Sequence, residues 1–226
     1  QVSVAEVTTR DIDRGEHKHF LSKEIAEAPH SFRKTLRGKI AERNGQLFAS
    51  LDDSVLPVGI RAKLTAGTYR RIRVIGQGTA AIAGRSLAQL LRTMVDHRVQ
   101  VDALPATELS GFQLQLDMTD TLIIAISQSG TTTDTNRTVD LARTRGASVL
   151  AIVNRRGSEL AAKANGVLFT SDGRDVEMSV ASTKAFYSQV AAGALLACAI
   201  SEALGSGSHD ERHQLLVALR TIPEAM

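Results

Sequence analysis

The 226-residue chain has little of several residue types, and each shortage excludes a class of protein. Its one cysteine, Cys198, can form no internal disulfide and no metal cluster can rest on it, so we expect a reducing compartment, the cytoplasm. The absence of tryptophan and an aromatic content of 4% leave few platforms for stacking on nucleic-acid bases. No uncharged apolar run reaches the roughly 18 residues that a membrane-spanning helix needs, so we expect no membrane segment.

The distribution of charge also does not indicate a nucleic-acid-binding protein. The net charge of +3 comes from 27 basic and 24 acidic residues, and the basic ones are scattered along the chain rather than clustered. A nucleic-acid-binding face would need a basic patch or stripe, so nucleic acid is not expected as a partner. With 43% hydrophobic and 23% charged residues, the composition is that of an ordinary globular protein.

From Arg71 onward, short apolar runs alternate with helical patterns. The runs read RIRVI, RVQVDAL, TLIIAI, SVLAIVN and GVLFT, and most are separated by segments of helical periodicity. Buried strands that alternate with helices are typical of a parallel sheet with helices on both faces. The sequence therefore predicts an α/β fold with a doubly wound, five-stranded parallel sheet. If its strand order is 2-1-3-4-5, the first and third strands are neighbours at the point where the order reverses.

The part before Arg71 has a different pattern. Between His17 and Glu42, apolar residues recur at helical spacing, and Pro29 is expected to divide this stretch into two helices or to kink one. The apolar positions are Phe20, Leu21, Ile25, Phe32, Leu36 and Ile40. We expect a linker from an upstream domain over residues 1–16, a helical lead-in segment over 17–68, the α/β domain over 69–204, and a linker and helix over 205–226.

Two loops with unusual composition follow strands that would be neighbours in this order. The first loop, residues 76–81, reads GQGTAA, and the serine loop, residues 127–133, reads SQSGTTT. The serine loop brings five hydroxyls, an amide and a glycine to a helix start, where free N–H groups and the helix dipole favour an anion. An ordinary Ser/Thr cap, worth about 1 kcal/mol, is the alternative. One cap needs only one hydroxyl, so the sequence favours phosphate, and without a lysine the loop is not a nucleotide P-loop.

The first loop also permits a different ligand. Gly76, Gly78 and Ala81 fit a loose GxGxxA pattern, and Asp102 lies where a dinucleotide site places its ribose-binding acid. An NAD-dependent oxidoreductase therefore stays open as an alternative. Glycines at a strand-to-helix turn are also common where only close packing requires them.

The remaining candidates are interpreted as structural. Ser182 or Thr183 can cap the long last helix of the α/β domain, and Glu177 is expected to be a solvated loop carboxylate rather than a catalytic base. His17 and His19 are expected to be surface histidines, since no carboxylate or cysteine cluster joins them, and no metal site is predicted. Cys198 is expected to be a small buried filler.

Three sequence segments resemble a known family. AISQSGTTTDT at Ala125–Thr135 and VASTKAF at Val180–Phe186 are similar to the sugar isomerase (SIS) family. Together with HFLSKEIAEAP at His19–Pro29, they resemble the first of two SIS modules in the glutamine–fructose-6-phosphate aminotransferases, which make glucosamine 6-phosphate from fructose 6-phosphate and glutamine. The resemblance extends from about Asp11 to the end of the chain.

This resemblance implies an SIS module over residues 69–204 that binds a hexose 6-phosphate, either fructose 6-phosphate or glucosamine 6-phosphate. By matching position, the phosphate would be held by the serine loop with help from the first loop, and the sugar would be contacted by Val180 and Ser182. The residues implied for the phosphate are Gly78, Thr79, Ser127, Gln128, Ser129 and Thr132. The family also implies no metal or organic cofactor and a homodimer.

The same resemblance implies binding without turnover. In the family, the glutaminase domain, the second SIS module and the C-terminal tail supply the catalytic groups, and no residue here matches them, so no catalytic residue is predicted. Ala80 stands where a serine is usual and Thr131 where a glutamate is usual. These departures leave two alternatives open: a paralogous SIS isomerase or deaminase, and the sugar-phosphate-sensing SIS module of a regulator.

Overall fold

The structure, a computed structural model, describes residues 13–226, so most of the linker predicted over residues 1–16 lies outside the described residues. In chain order the elements are α1 (Phe20–Leu36), β1 (Ile40–Arg43), β2 (Gln46–Ala49), α2 (Val58–Thr65), β3 (Arg71–Gly76), α3 (Thr79–Met94), β4 (Gln100–Pro105), α4 (Ala106–Glu108) with a π-helical turn (Leu109–Gln113), β5 (Thr121–Ser127), α5 (Thr133–Thr144), β6 (Ser148–Val153), α6 (Glu159–Lys163), β7 (Gly166–Phe169) with a 3-10 turn (Thr170–Gly173), α7 (Lys184–Ala203) and α8 (His209–Ala225).

The larger sheet confirms the predicted fold class. Its five strands run parallel in the order β4-β3-β5-β6-β7, which is 2-1-3-4-5 when they are counted along the chain. All five predicted apolar runs form its strands. Strand order reverses between β3 and β5, so the loops that follow these two strands leave the sheet at its switch point.

The sheet is covered on both faces because its strands are apolar on both. In the central strand β5, every residue is buried. Leu122 and Ile124 face a large core built with α1, α2, α3, α7, α8 and the hairpin β1–β2, whereas Ile123 and Ala125 face a smaller core built with α4, α5 and α6. Each fully buried Ile or Leu contributes about 1.5–3 kcal/mol relative to exposure, so β5 anchors both layers.

Helix α7 fills the centre of the larger core. It is long and apolar enough to cross a membrane by length and composition, but 78% of its most apolar 18-residue window is buried inside the protein. It packs mainly against α1 and α3. Helix α7 is therefore a core helix of this fold, which explains its nearly uniform apolar character.

The lead-in segment differs from the prediction. Helix α1 continues through Pro29 as one helix and ends at Leu36, and Ile40 begins β1 of an antiparallel hairpin instead of extending a helical pattern. Leu21 and Ile25, two of the apolar positions of the helical pattern, have exposed fractions of 40% and 57%. The segment LPVGIRAKL, within the lead-in, forms most of the short helix α2. Helix α8 lies within residues 205–226, which were predicted to hold a linker and a helix.

Candidate functional site

The first loop and the serine loop face one crevice, as expected from the strand order. They leave the carboxyl ends of β3 and β5, which pair directly. The side-chain amide of Gln77 in the first loop donates to Asp134 in the first turn of α5 at 3.3 Å, and to Thr107 at 3.4 Å. A single side chain therefore joins the loops that follow β3, β4 and β5.

The geometry of the first loop argues against a dinucleotide site. A Cβ at Gly76 would lie 3.0 Å from the carbonyl oxygen of Ile126, so this glycine is required by the close approach of β5. Asp102 lies opposite Arg73 within β4, three residues before the strand ends at Pro105, and its carboxylate pairs with the Arg73 guanidinium. A ribose-binding acid would stand at the carboxyl end of its strand, so the observations that favoured NAD have structural explanations.

The serine loop is shaped by its own hydroxyls. Ser127 is buried, and its Oγ accepts from the N–H of Gly130 at 3.0 Å and lies 3.2 Å from the Thr132 hydroxyl. The Oγ of Ser129 accepts from the N–H and the hydroxyl of Thr131, at 3.2 and 2.9 Å. Gly130 has a φ of +67°, and a Cβ there would lie 2.2 Å from the Ser158 Oγ. The tight turn is therefore fixed before any ligand binds.

The start of α5 remains available to an anion. The N-cap residue Thr132 makes no side-chain cap hydrogen bond, so the simple capping alternative is not what the hydroxyls do. Backbone N–H groups of a first helical turn have no partner within the helix, and the helix dipole is positive there. Asp134 adds a negative charge to this turn, and the amide of Gln77 binds its carboxylate. The loop thus offers amides and hydroxyls, the donors that bind phosphate oxygens.

Unpartnered buried atoms cluster at the same end of the sheet. Three side-chain oxygens are buried and have no hydrogen-bond partner within residues 13–226: Thr135 Oγ1 and Asn136 Oδ1 near the start of α5, and Asn154 Oδ1 directly after β6. Buried polar atoms usually have partners, and each exception costs about 1–3 kcal/mol. Asn154 was not among the predicted residues, although an asparagine at the carboxyl end of a buried strand is a recognisable candidate for a binding site.

Asn154 connects the serine loop to the loop that carries Val180 and Ser182. Its backbone N–H donates to the carbonyl of Gln128 at 3.1 Å, and its side-chain amide donates to the carbonyl of Asp175. We call residues 174–183 the third loop. Val180 is fully exposed, and the Ser182 hydroxyl donates to Glu177 of its own loop at 3.1 Å. Within residues 13–226, no hydrogen bond joins Val180 or Ser182 to the serine loop.

Glu177 does not behave as the solvated carboxylate that was predicted. It is half-buried, and it accepts from the N–H of Thr183 at 2.7 Å and from the hydroxyl of Ser182. Thr183 is the N-cap of α7 but makes no side-chain cap bond itself. The prediction was wrong because the carboxylate six residues earlier in the chain caps this helix.

Several other predicted residues have clear environments. Ala80 is buried in the larger core, while Thr79 is exposed at the start of α3. The exposed fraction of Cys198 is 1%, and burial raises the pKa of its thiol to about 12, which confirms it as a buried filler. His17 and His19 are both exposed.

The parallel sheet with the hydroxyl-rich serine loop at its switch point corresponds to a known domain. A sequence model of the SIS domain matches residues 68–199, and the chain belongs to the SIS family. It is 34% identical over 223 residues to the glutamine–fructose-6-phosphate aminotransferase (isomerizing) of Corynebacterium diphtheriae, covering 98% of this chain and 33% of that enzyme. The corresponding enzyme of Symbiobacterium thermophilum is 35% identical over 214 residues, covering 94% and 33%. The chain thus spans about a third of the length of these relatives.

Solved structures share the fold. The C-terminal domain of glucosamine-fructose-6-phosphate aminotransferase from Francisella tularensis superposes with a TM-score of 0.75 at 24% identity, covering 94% of this chain and 56% of that chain. Glucosamine-6-phosphate deaminase from Thermotoga maritima superposes with a TM-score of 0.60 at 19% identity, covering 91% and 54%. These similarities establish the fold.

Proposed function

We propose that the chain is the hexose 6-phosphate-binding SIS module of a glutamine–fructose-6-phosphate aminotransferase. In that enzyme, fructose 6-phosphate and glutamine are converted to glucosamine 6-phosphate and glutamate. The role of this chain is to bind the sugar phosphate, while the catalytic groups come from parts of the relatives that it does not span. The setting we propose is a cytoplasmic homodimer of amino sugar biosynthesis, with no metal or organic cofactor.

One observation carries the proposal: the start of α5 combines a preformed turn, no side-chain cap and the Ser129 hydroxyl, which accepts two hydrogen bonds and donates none within residues 13–226. In the proposed complex, the residues of the serine loop and the first loop hold the phosphate, and Val180 and Ser182 of the third loop contact the sugar. The phosphate ligands are Gly78, Thr79, Ser127, Gln128, Ser129 and Thr132. A dianion at this position gains both hydrogen bonds and a favourable interaction with the helix dipole.

Calorimetric titration with fructose 6-phosphate, glucosamine 6-phosphate and NAD tests the proposal. We expect saturable binding of a sugar phosphate and none of NAD. Ser129→Ala removes a hydroxyl from the proposed phosphate shell. A hydrogen bond to a charged group contributes about 1.5–3 kcal/mol, so the dissociation constant should rise by at least about 10-fold.

Ser22→Ala is the matched control, because Ser22 is exposed near the start of α1 and, in the described part of the chain, its hydroxyl donates only to the carbonyl of His19. Its effect on the dissociation constant should stay within about two-fold. Binding of NAD in place of the sugar phosphates, or equal effects of the two serine substitutions, would contradict the proposal.

A further inference from the structure

A polar stripe on α1 faces the third loop. Glu24, Glu27 and Ser31 are spaced by three and four residues, which places them on one side of the helix. Each contacts a residue in or directly after the third loop: Glu24 contacts Ser179, Glu27 contacts Lys184 and Ser31 contacts Asp175. The stripe therefore follows the loop along its length, and the contacts join residues more than 140 positions apart in sequence.

The central contact of the stripe places a buried carboxylate against the third loop. The exposed fraction of Glu24 is 1%, and its carboxylate accepts from the backbone N–H groups of Met178 and Ser179 and from the Ser179 hydroxyl. A buried charge is costly unless hydrogen bonds satisfy it. These donors are present only when the loop lies against α1 as it does here. Burial of Glu24 and the position of the loop are therefore coupled.

Both ends of the loop are held by the same helix. Lys184, which is 5% exposed, pairs with Glu27 at 2.6 Å, at the point where α7 begins. At the other end, the carboxylate of Asp175 accepts from the Ser31 hydroxyl and from Lys34 at 3.1 Å. Between these anchors the loop has no helix or strand, and Met178 and Val180 are exposed. Its shape thus depends on contacts with α1.

We infer that α1 is the scaffold for the sugar side of the site, with Glu24 as a positioning residue that fixes Val180 and Ser182 at the crevice. This inference rests on the proposed function, because it assigns those two residues to the sugar. Glu24 contacts the third loop and not the serine loop. Loss of the Glu24 carboxylate should therefore weaken recognition of the sugar and leave recognition of the phosphate intact.

The test compares fructose 6-phosphate with inorganic phosphate as ligands of Glu24→Gln and Glu24→Ala. Glutamine keeps one acceptor oxygen and alanine keeps none, so the dissociation constant for fructose 6-phosphate should rise by several-fold in the first variant and by about 10-fold or more in the second. The constant for inorganic phosphate should stay within about two-fold of the wild-type value. Ser179→Ala, which removes a donor from the loop side, should act in the same direction and more weakly.

Glu42→Gln is the control, since Glu42 is exposed on the hairpin and, within residues 13–226, no hydrogen bond or ion pair joins its side chain to the third loop. Amide hydrogen exchange of the unliganded protein gives an independent readout: Met178 and Ser179 should lose protection in Glu24→Ala. Retained protection there would overturn the inference, as would an equal loss of affinity for both ligands. If the wild-type protein binds neither ligand, the proposed function fails, whereas the exchange measurement still decides whether Glu24 holds the loop.

Discussion

Glu177 caps a helix from outside its first turn. Its carboxylate binds the N–H of Thr183 and lies at the positive end of the α7 dipole, where a negative charge is favourable. Glu177→Gln removes the charge but keeps an acceptor, so we expect the free energy of unfolding to fall by about 1 kcal/mol. Urea denaturation at pH 7 measures the change.

Glu202 provides the matched control on the same helix. It is exposed near the C-terminal end of α7, where the dipole disfavours a negative charge. Glu202→Gln should leave the stability unchanged or raise it by a few tenths of a kcal/mol, roughly. A similar loss in both variants would contradict this explanation, because the effect would then not depend on which end of the helix carries the charge.

At the level of single residues, prediction from sequence succeeded where one chemical property decides the outcome. Cys198 was predicted to be buried because its neighbours are all apolar. The phosphate-binding role of the serine loop, inferred because five hydroxyls exceed what a helix cap can use, stays a prediction. Prediction failed for Glu24, a buried carboxylate, because its partners lie more than 150 positions away in the chain. From the local sequence alone, such a carboxylate cannot be distinguished from a solvated helix residue.

The contact between α1 and the third loop depends on pH through Asp175. Burial acts to raise the pKa of Asp175, but the hydroxyls of Ser31 and Ser171 and the charge of Lys34 outweigh it and leave the pKa below its ordinary value. A depressed pKa in the folded state means that the carboxylate stabilises the protein above the pKa of the unfolded chain, about 3.9. This stabilisation is lost as the pH falls toward the folded-state pKa.

Asp175→Asn should therefore lower the free energy of unfolding by about 1–3 kcal/mol at pH 7, and the difference from wild type should shrink as the pH falls below about 4. Chemical denaturation across this range measures it. Asp53→Asn, on an exposed aspartate, should show little effect at any pH. A difference for Asp175→Asn that persists unchanged at pH 3 would mean that the side chain acts through its shape rather than its charge.

At the level of elements, the sheet was predictable and the hairpin was not. The five parallel strands coincide with short, mostly apolar runs that are bounded by loops and alternate with helical patterns, and these signals together define them. The hairpin strands have only four residues each, and Ile40 lies at helical spacing from Leu36. The apolar pattern of α1 therefore extended the predicted helix to Ile40. Asn44–Gly45 was the missed signal: both residues have positive φ, as a two-residue hairpin turn requires.

At the scale of the whole molecule, the larger core joins the lead-in segment to the α/β domain. Helix α7 lies between α1 and α3, and the N–H of Leu47 in the hairpin donates to His213 of α8 at 2.9 Å. The segment predicted as a separate lead-in thus shares one hydrophobic core with the sheet. The boundaries predicted from sequence still divide the chain into successive segments. The packing indicates that the described segments unfold together.

Cys198 offers a direct test of that cooperativity. Its thiol lies in the larger core, and burial raises its pKa to about 12, so it is neither accessible nor ionised in the folded protein at pH 8. Reaction with a thiol-specific chromogenic reagent then requires opening of the core, and we expect it to be slow in native buffer and fast in concentrated urea. The opening free energy calculated from the labelling rate should equal the free energy of unfolding from circular dichroism, because α1, α7 and the sheet share the core. A much smaller opening free energy would show that α7 detaches by local unfolding, and the lead-in segment would then be an independent unit.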